Sequence, residues 1–224
     1  RAHHSNKGIP MSTTITSNER SSSAGRWLGV ATLAGIVGFA LFFYAEYALR
    51  YFSWSQDAYG DYYWGKRVAL AFHLFGGTLA LFAGIPQLWM GFRNRYMRIH
   101  RWTGRLYVVG VLVGSIGAFL MSTSEQQILG FGFAFALFAL GVAWMTTTGA
   151  AYVAILKRRI KLHKEWMIRS YIVTLAFVTF RVLSDYVPYQ SWGLDVADYN
   201  TAMMWSCWVF PLLAAEVFFQ FRKT

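Results

Sequence analysis

The sequence predicts an all-α integral membrane protein with six transmembrane helices, and two observations carry that expectation. Of the 224 residues, 56% are hydrophobic, 19% aromatic and only 14% charged, which is too apolar for a soluble globule of this size. The Lys and Arg residues are not spread along the chain but gathered in short blocks between apolar runs, the pattern of cytoplasmic loops. The net charge of +11 is therefore read as topology. It implies contact with a lipid bilayer and no nucleic acid partner.

A hydrocarbon core ~30 Å thick requires ~20 mostly apolar residues per helix. Stretches 27–48, 67–92, 104–122, 128–156, 167–187 and 200–221 meet that requirement. Arg93, Arg95, Arg98, Arg101 and Arg105 separate the second from the third. Lys157, Arg158, Arg159, Lys161, Lys164 and Arg169 separate the fourth from the fifth. The positive-inside rule makes both loops cytoplasmic, and Arg20, Arg26, Arg222 and Lys223 bring both termini to the same side. The cell inner membrane is the expected location. Loops 50–66, 123–127 and 188–199 face outward, with Asp57, Asp61, Glu125, Asp195 and Asp198 among aromatic and polar residues.

Helices two to five are expected to form a four-helix core flanked by the first and sixth. Residues 1–25 differ from the rest: Ser12 to Ser23 is rich in Ser, Thr and Asn without apolar periodicity, as in a mobile cytoplasmic tail. Residues 26–224 then form the transmembrane domain. Met11 opens the Ser/Thr stretch, so residues 1–10 read as an upstream extension, and His3 and His4 carry no functional weight. The single cysteine, Cys207, lies in an apolar run and reads as a packing residue.

The basic loops look like the same corner built twice. With an offset of 63 residues His100 falls on His163, Phe92 on Ile155 and Arg95 on Arg158. One further residue of slip brings Arg105 onto Arg169 and Tyr107 onto Tyr171. Both units run in the same direction, which describes a parallel internal repeat about an axis along the membrane normal.

Several separated motifs carry a resemblance: Phe72-His-Leu-Phe-Gly-Gly-Thr-Leu-Ala-Leu-Phe-Ala-Gly-Ile-Pro-Gln87, Arg93, His100-Arg-Trp-Thr-Gly-Arg-Leu-Tyr107, His163 and Trp166-Met-Ile-Arg-Ser170. Over about residues 67–185 the chain resembles the predicted membrane proteins grouped as domain of unknown function 2306. That resemblance implies a helical membrane core and no particular chemistry. More loosely, histidines near the ends of four core helices resemble the transmembrane b-type cytochromes that reduce ascorbate or iron. This chain departs from their pattern, because no span besides the second carries a histidine in its outer half.

Two polar clusters are candidate sites. At the inner face stand His100 and His163, Arg105 and Arg169, Gln87 beside the kinking Pro86, and Glu216 about two turns from the end of the last helix. Neutral imidazoles suit haem iron and arginines suit propionates, so haem b on His100 and His163 is one reading. A quinone, an anionic lipid or a membrane-protein partner is another, and plain anchoring at the headgroups a third. In the outer half, His73 lies about six residues into the second helix. Arg181 lies at a similar level with Asp185 at i+4, spaced to pair with it.

No phosphate loop, His-Glu-x-x-His pair, nucleophile elbow or cysteine cluster occurs, so hydrolytic and nucleotide-driven classes lose their signatures. Whether the chain is an enzyme stays open at this point. Three function classes remain. First is a non-enzymatic membrane protein, an accessory or assembly component with an inner-face His/Arg site. Second is a single-haem b-type redox protein. Third is a small-solute or proton transporter using His73, Arg181 and Asp185.

Overall fold

The computed structural model describes residues 23–188 and 193–221. Residues 1–22 of the expected tail, the terminal basic residues Arg222 and Lys223, and part of the 188–199 loop lie outside them, whereas Ser23 to Gly25, expected in the tail, already belong to the first helix. Within the described residues all regular structure is helical. In order come α1 (Ser23–Phe43), a π turn (Tyr44–Ala48) and a 3-10 turn (Leu49–Ser53), then α2 (Gln56–Trp64), α3 (Arg67–Arg93), α4 (Met97–Leu156), α5 (Ile160–Tyr186) and α6 (Val196–Phe221).

The 60-residue α4 is two spans. At Gly130 the backbone takes φ 79° and ψ 172°, a conformation open to glycine and few others. Phe119 and Phe138 lie 5.1 Å apart ring to ring, whereas nineteen residues of straight helix would separate them by roughly 28 Å. Arms 97–129 and 131–156 therefore fold back on each other and supply the expected third and fourth spans. Five helices among the described residues are long and apolar enough to cross a bilayer, and with α4 folded into two arms they give six crossings. The helices begin before the apolar stretches do, α4 at Met97 and α5 at Ile160. Hydropathy reports where lipid starts, while the backbone continues its hydrogen bonding through the charged blocks.

Both basic corners have one design. Asn94 and Arg158 take left-handed conformations, φ 50° and φ 56°. In each corner the next amide reaches five residues back, Arg95 N to Met90 O at 3.2 Å and Arg159 N to Ala154 O at 2.9 Å. This is the six-to-one closure that satisfies carbonyls at a helix end. The two closures are 64 residues apart and the two histidines 63, so the first corner is one residue longer before its histidine.

These corners define a basic end. The α6 C-terminal region lies there too, since Glu216 meets Arg169 near the start of α5. The far end of α1 lies at the opposite pole, where the Tyr47 hydroxyl donates to Asp185 near the end of α5. The start of α1 and the end of α6 thus share the basic end. The opposite pole, the cap end, holds α2 and a cluster of rings, with Tyr51 5.2 Å from Tyr59.

Glycines hold α3 against the first arm of α4. A Cβ placed on Gly76 would collide with the Gly114 backbone, one on Gly117 with the His73 backbone, and one on Gly110 would lie 2.7 Å from the Ala80 nitrogen. Small residues allow this approach, which is how membrane helices gain packing contacts that lipid does not provide. α5 and α6 close the other side, burying Tyr171, Phe180, Met204 and Cys207. The Cys207 thiol donates to Met204 O. α1 stands at the periphery, with Ala40 packed on Leu81 and Val178.

Candidate functional site

The glycine seam fixes the imidazole of His73. With the two backbones nearly touching, its Nδ1 lies 3.1 Å from Gly114 O and its ring 4.6 Å from Phe177. A carbonyl can only accept, so Nδ1 carries the proton and Nε2 keeps its lone pair. Nε2 makes no hydrogen bond among the described residues and belongs to a side chain lining a cavity of about 420 Å³. That volume lies within the usual range of small-molecule pockets.

The cavity runs from the cap end toward the middle of the bundle. Its deep walls are apolar, including Leu137, Leu140, Trp144 and Phe177; nearer the cap it meets Arg181, Asp185, Glu46 and Glu125. Arg181 donates from Nη2 to the Tyr63 hydroxyl at 3.0 Å. Asp185 is exposed and accepts from Tyr47 at 2.5 Å. The structure thus brings His73, Arg181 and Asp185 to one cavity. Arg181 and Asp185 each bond to a tyrosine, and no ion pair joins them among the described residues. The i+4 spacing allows such a pair, but tyrosines from α2 and the π turn reach them first.

Sequence reasoning missed the acid that closes this end. Glu125, assigned to an outer loop, is only 4% exposed. It accepts from the Tyr62 hydroxyl and from Lys66 Nζ, both at 2.5 Å, and Lys66 lies 3.9 Å over the Tyr62 ring. Burial, and after it the hydrogen bond and charge of Glu125, push the Tyr62 phenol well above its ordinary range, so it stays a donor. A signal for Glu125 existed: Gly114, Ala118, Met121, Ser122 and Glu125 form one helical stripe, all of it buried.

Below the cavity a set of hydroxyls looks like a proton path but is closed. Thr174 donates to Ser170 O at 2.9 Å, so it can only accept from Trp144 Nε1 at 2.9 Å and from Tyr107 at 2.8 Å. Tyr107 has then spent its proton and accepts from Ser170 at 2.7 Å, and Ser170 accepts from Thr148 at 2.6 Å. Each hydroxyl has one proton, and the series ends on a backbone carbonyl. The network clamps both arms of α4 to α5.

The residues singled out at the basic end are mostly occupied by neighbours. His163 Nδ1 lies 2.9 Å from Ala151 O. Gln87 Nε2 donates to His100 O and, at 2.9 Å, to Thr103 Oγ1. Arg169 is buried, makes a two-point contact with Glu216, and lies over the Trp166 and Phe219 rings. Arg105 is exposed and lies over Trp102. The two arginines therefore turn to different partners. His100 Nδ1 is buried without a hydrogen bond among the described residues. Among the described residues no three His, Cys, Asp or Glu side chains cluster as a metal site.

Residues 70–219 match the family described as predicted membrane protein, DUF2306. The chain belongs to this family. The match takes in α3, both arms of α4, α5 and most of α6, so the family segment contains His73, the glycine seam, Glu125 and Arg181 and leaves α1 and α2 outside. No curated protein and no solved structure matches the chain.

Proposed function

We propose that this DUF2306 protein is a membrane-embedded binding protein whose cavity receives a small amphipathic molecule. The observation that carries the reading is His73: an imidazole inside the bundle with one nitrogen tied to backbone and the other facing a cavity with a polar rim and apolar depth. Such sites, concave and apolar with a few oriented polar groups, are where proteins hold small ligands. Intramembrane ionisable side chains are costly and accompany function. In this reading the outer cluster supplies the binding half of the transporter class considered above. The basic end supplies corners that fix helix register.

Thermal unfolding of the nanodisc-reconstituted protein, titrated with 4-propylphenol, tests this. Native protein should be stabilised by an amount that rises with the logarithm of probe concentration above Kd, about 2.7 kcal/mol at one hundred times Kd. Gly77→Leu places a side chain into open space on a cavity-lining residue and should abolish the shift. A native protein with no shift beyond that of Gly77→Leu would remove the proposal.

One observation favours the haem reading as a second one: the Nδ1 of His100 is buried without a hydrogen-bond partner among the described residues. His100 and His163 would hold a bound haem, which would supply one-electron chemistry there. Oxidised and dithionite-reduced spectra decide it, and a featureless visible region after expression with added haem would remove it. For orientation we propose that the basic end is cytoplasmic in a cell inner membrane. Asp61→Cys and Lys161→Cys should label from opposite sides, since the native Cys207 is buried.

A further inference from the structure

The polar atoms facing the cavity specify more than amphipathic character. His73 Nε2 offers a lone pair and no proton, because Nδ1 holds the proton against Gly114 O. Arg181 uses Nη2 on Tyr63, and its other donors have no acceptor among the described residues, leaving N–H groups on a residue that lines the same cavity. Both side chains line the same cavity. The cavity therefore presents one acceptor and one set of donors.

A hydroxyl group complements that pair with a single atom, its proton going to Nε2 and its oxygen accepting from the guanidinium. A carboxylate would suit Arg181 but leave Nε2 facing an oxygen without a proton. An ether or a ketone would fail in the same way, and an ammonium would meet the arginine as a like charge. The walls nearby are aromatic, with Phe177 against the imidazole and Phe133, Phe180 and Trp144 around the same space. Flat rings pack well among such side chains in offset or edge-to-face arrangements. Resting on the binding reading above, we infer that the cavity selects a hydroxylated aromatic ring, a phenol or hydroquinone head with a short apolar substituent, and holds its hydroxyl between His73 Nε2 and Arg181.

Three probes of nearly equal shape separate this inference from the reading it rests on: 4-propylphenol, 4-propylanisole and propylbenzene. Each is titrated into the nanodisc-reconstituted full chain, with thermal unfolding as readout and the Gly77→Leu variant as control for effects of probe dissolved in lipid. The phenol should bind roughly tenfold tighter than the anisole, which corresponds to about one hydrogen bond in a dry site. His73→Leu should bring all three to similar affinity. His73→Gln, which retains an acceptor on a side chain of similar reach, should restore part of the preference. This second variant separates lost recognition from lost folding. Equal binding of all three probes to native protein would overturn the hydroxyl inference while leaving the cavity as an apolar binding site. Saturable binding of none of them would overturn the binding reading itself. A preference for phenol that survives His73→Leu in a folded protein would also sink the inference.

Discussion

The two ends of the bundle contain similar side chains put to different uses. At the basic end His163 bonds to Ala151 O, Gln87 closes over His100 O and Arg169 is held by Glu216, so these polar groups have partners on neighbouring helices. At the cap end His73, Arg181 and Asp185 each have one protein partner and then face a cavity of about 420 Å³. The difference lies in the backbone. At the basic end short corners return the chain directly, so Gln87 and His163 find partners across them, while Arg169 reaches Glu216 on α6. At the cap end the connection between α1 and α3 passes through a π turn, a 3-10 turn and the short α2, and these segments roof a space instead of filling it.

The sharpest test of this contrast compares the acids at the two ends. Glu125 is buried with Lys66, whose side chain is 11% exposed; Glu216, facing Arg169, is 43% exposed. Glu125→Ala leaves a buried ammonium unpaired and should cost about 3–5 kcal/mol. Glu216→Ala should cost less, because water reaches its side of the pair and screens it. Denaturation of both variants in one detergent measures the ranking, and a reversed order would break the comparison.

Glycines probe filled against empty space. A Cβ on Gly104 would lie 2.6 Å from Gln87 Nε2, whereas one on Gly77 meets nothing within 4 Å. Gly104→Leu should therefore destabilise by roughly 1–3 kcal/mol through overpacking. Gly77→Leu should be neutral or stabilise by up to about 1 kcal/mol, through helix propensity. Equal losses for the two would mean that the cap end is as tightly filled as the basic end.

Smaller effects follow at the cap. Asp185 is exposed and bonded to Tyr47, so Asp185→Ala should change stability by under about 1 kcal/mol; a loss of several would reinstate a buried pair with Arg181. The raised Tyr62 phenol gives a pH dependence. Folding favours its neutral form, so its contribution is full below pH 10 and is lost as pH rises through and beyond the ordinary tyrosine value. Stability measured from pH 9 to 11 should fall less steeply in Tyr62→Phe than in the native chain.

The membrane fold was legible because hydropathy and charge blocks report lipid contact directly. Six spans and the repeated corner followed from them, and the corner reappears as two matching helix closures. What the sequence concealed was the reach of side chains between segments far apart along the chain. Arg181 and Asp185 are spaced to pair within α5, yet Tyr63 and Tyr47, more than a hundred residues earlier, engage them. Glu125 looked like a loop acid because Ser122, Thr123, Ser124, Gln126 and Gln127 surround it. Its burial shows only when the helix is continued through that polar run and its phase followed from Gly114. α2 was hidden for a different reason: at nine residues, with a non-helical Gly60 inside it, it is held by its cap at Ser55 and by packing rather than by any apolar period.

The single-residue break at Gly130 also bears on how the protein is made. Two spans joined by one glycine leave no loop that can cross the bilayer after the first has settled. The arms of α4 must enter lipid together as a hairpin, already bringing Phe119 onto Gly141 and Gly114 onto Trp144. The groups that will face the cavity from this hairpin, Glu125 among them, therefore arrive at the cap in one step. Lys66 and Tyr62, synthesised earlier, are by then in position to receive them.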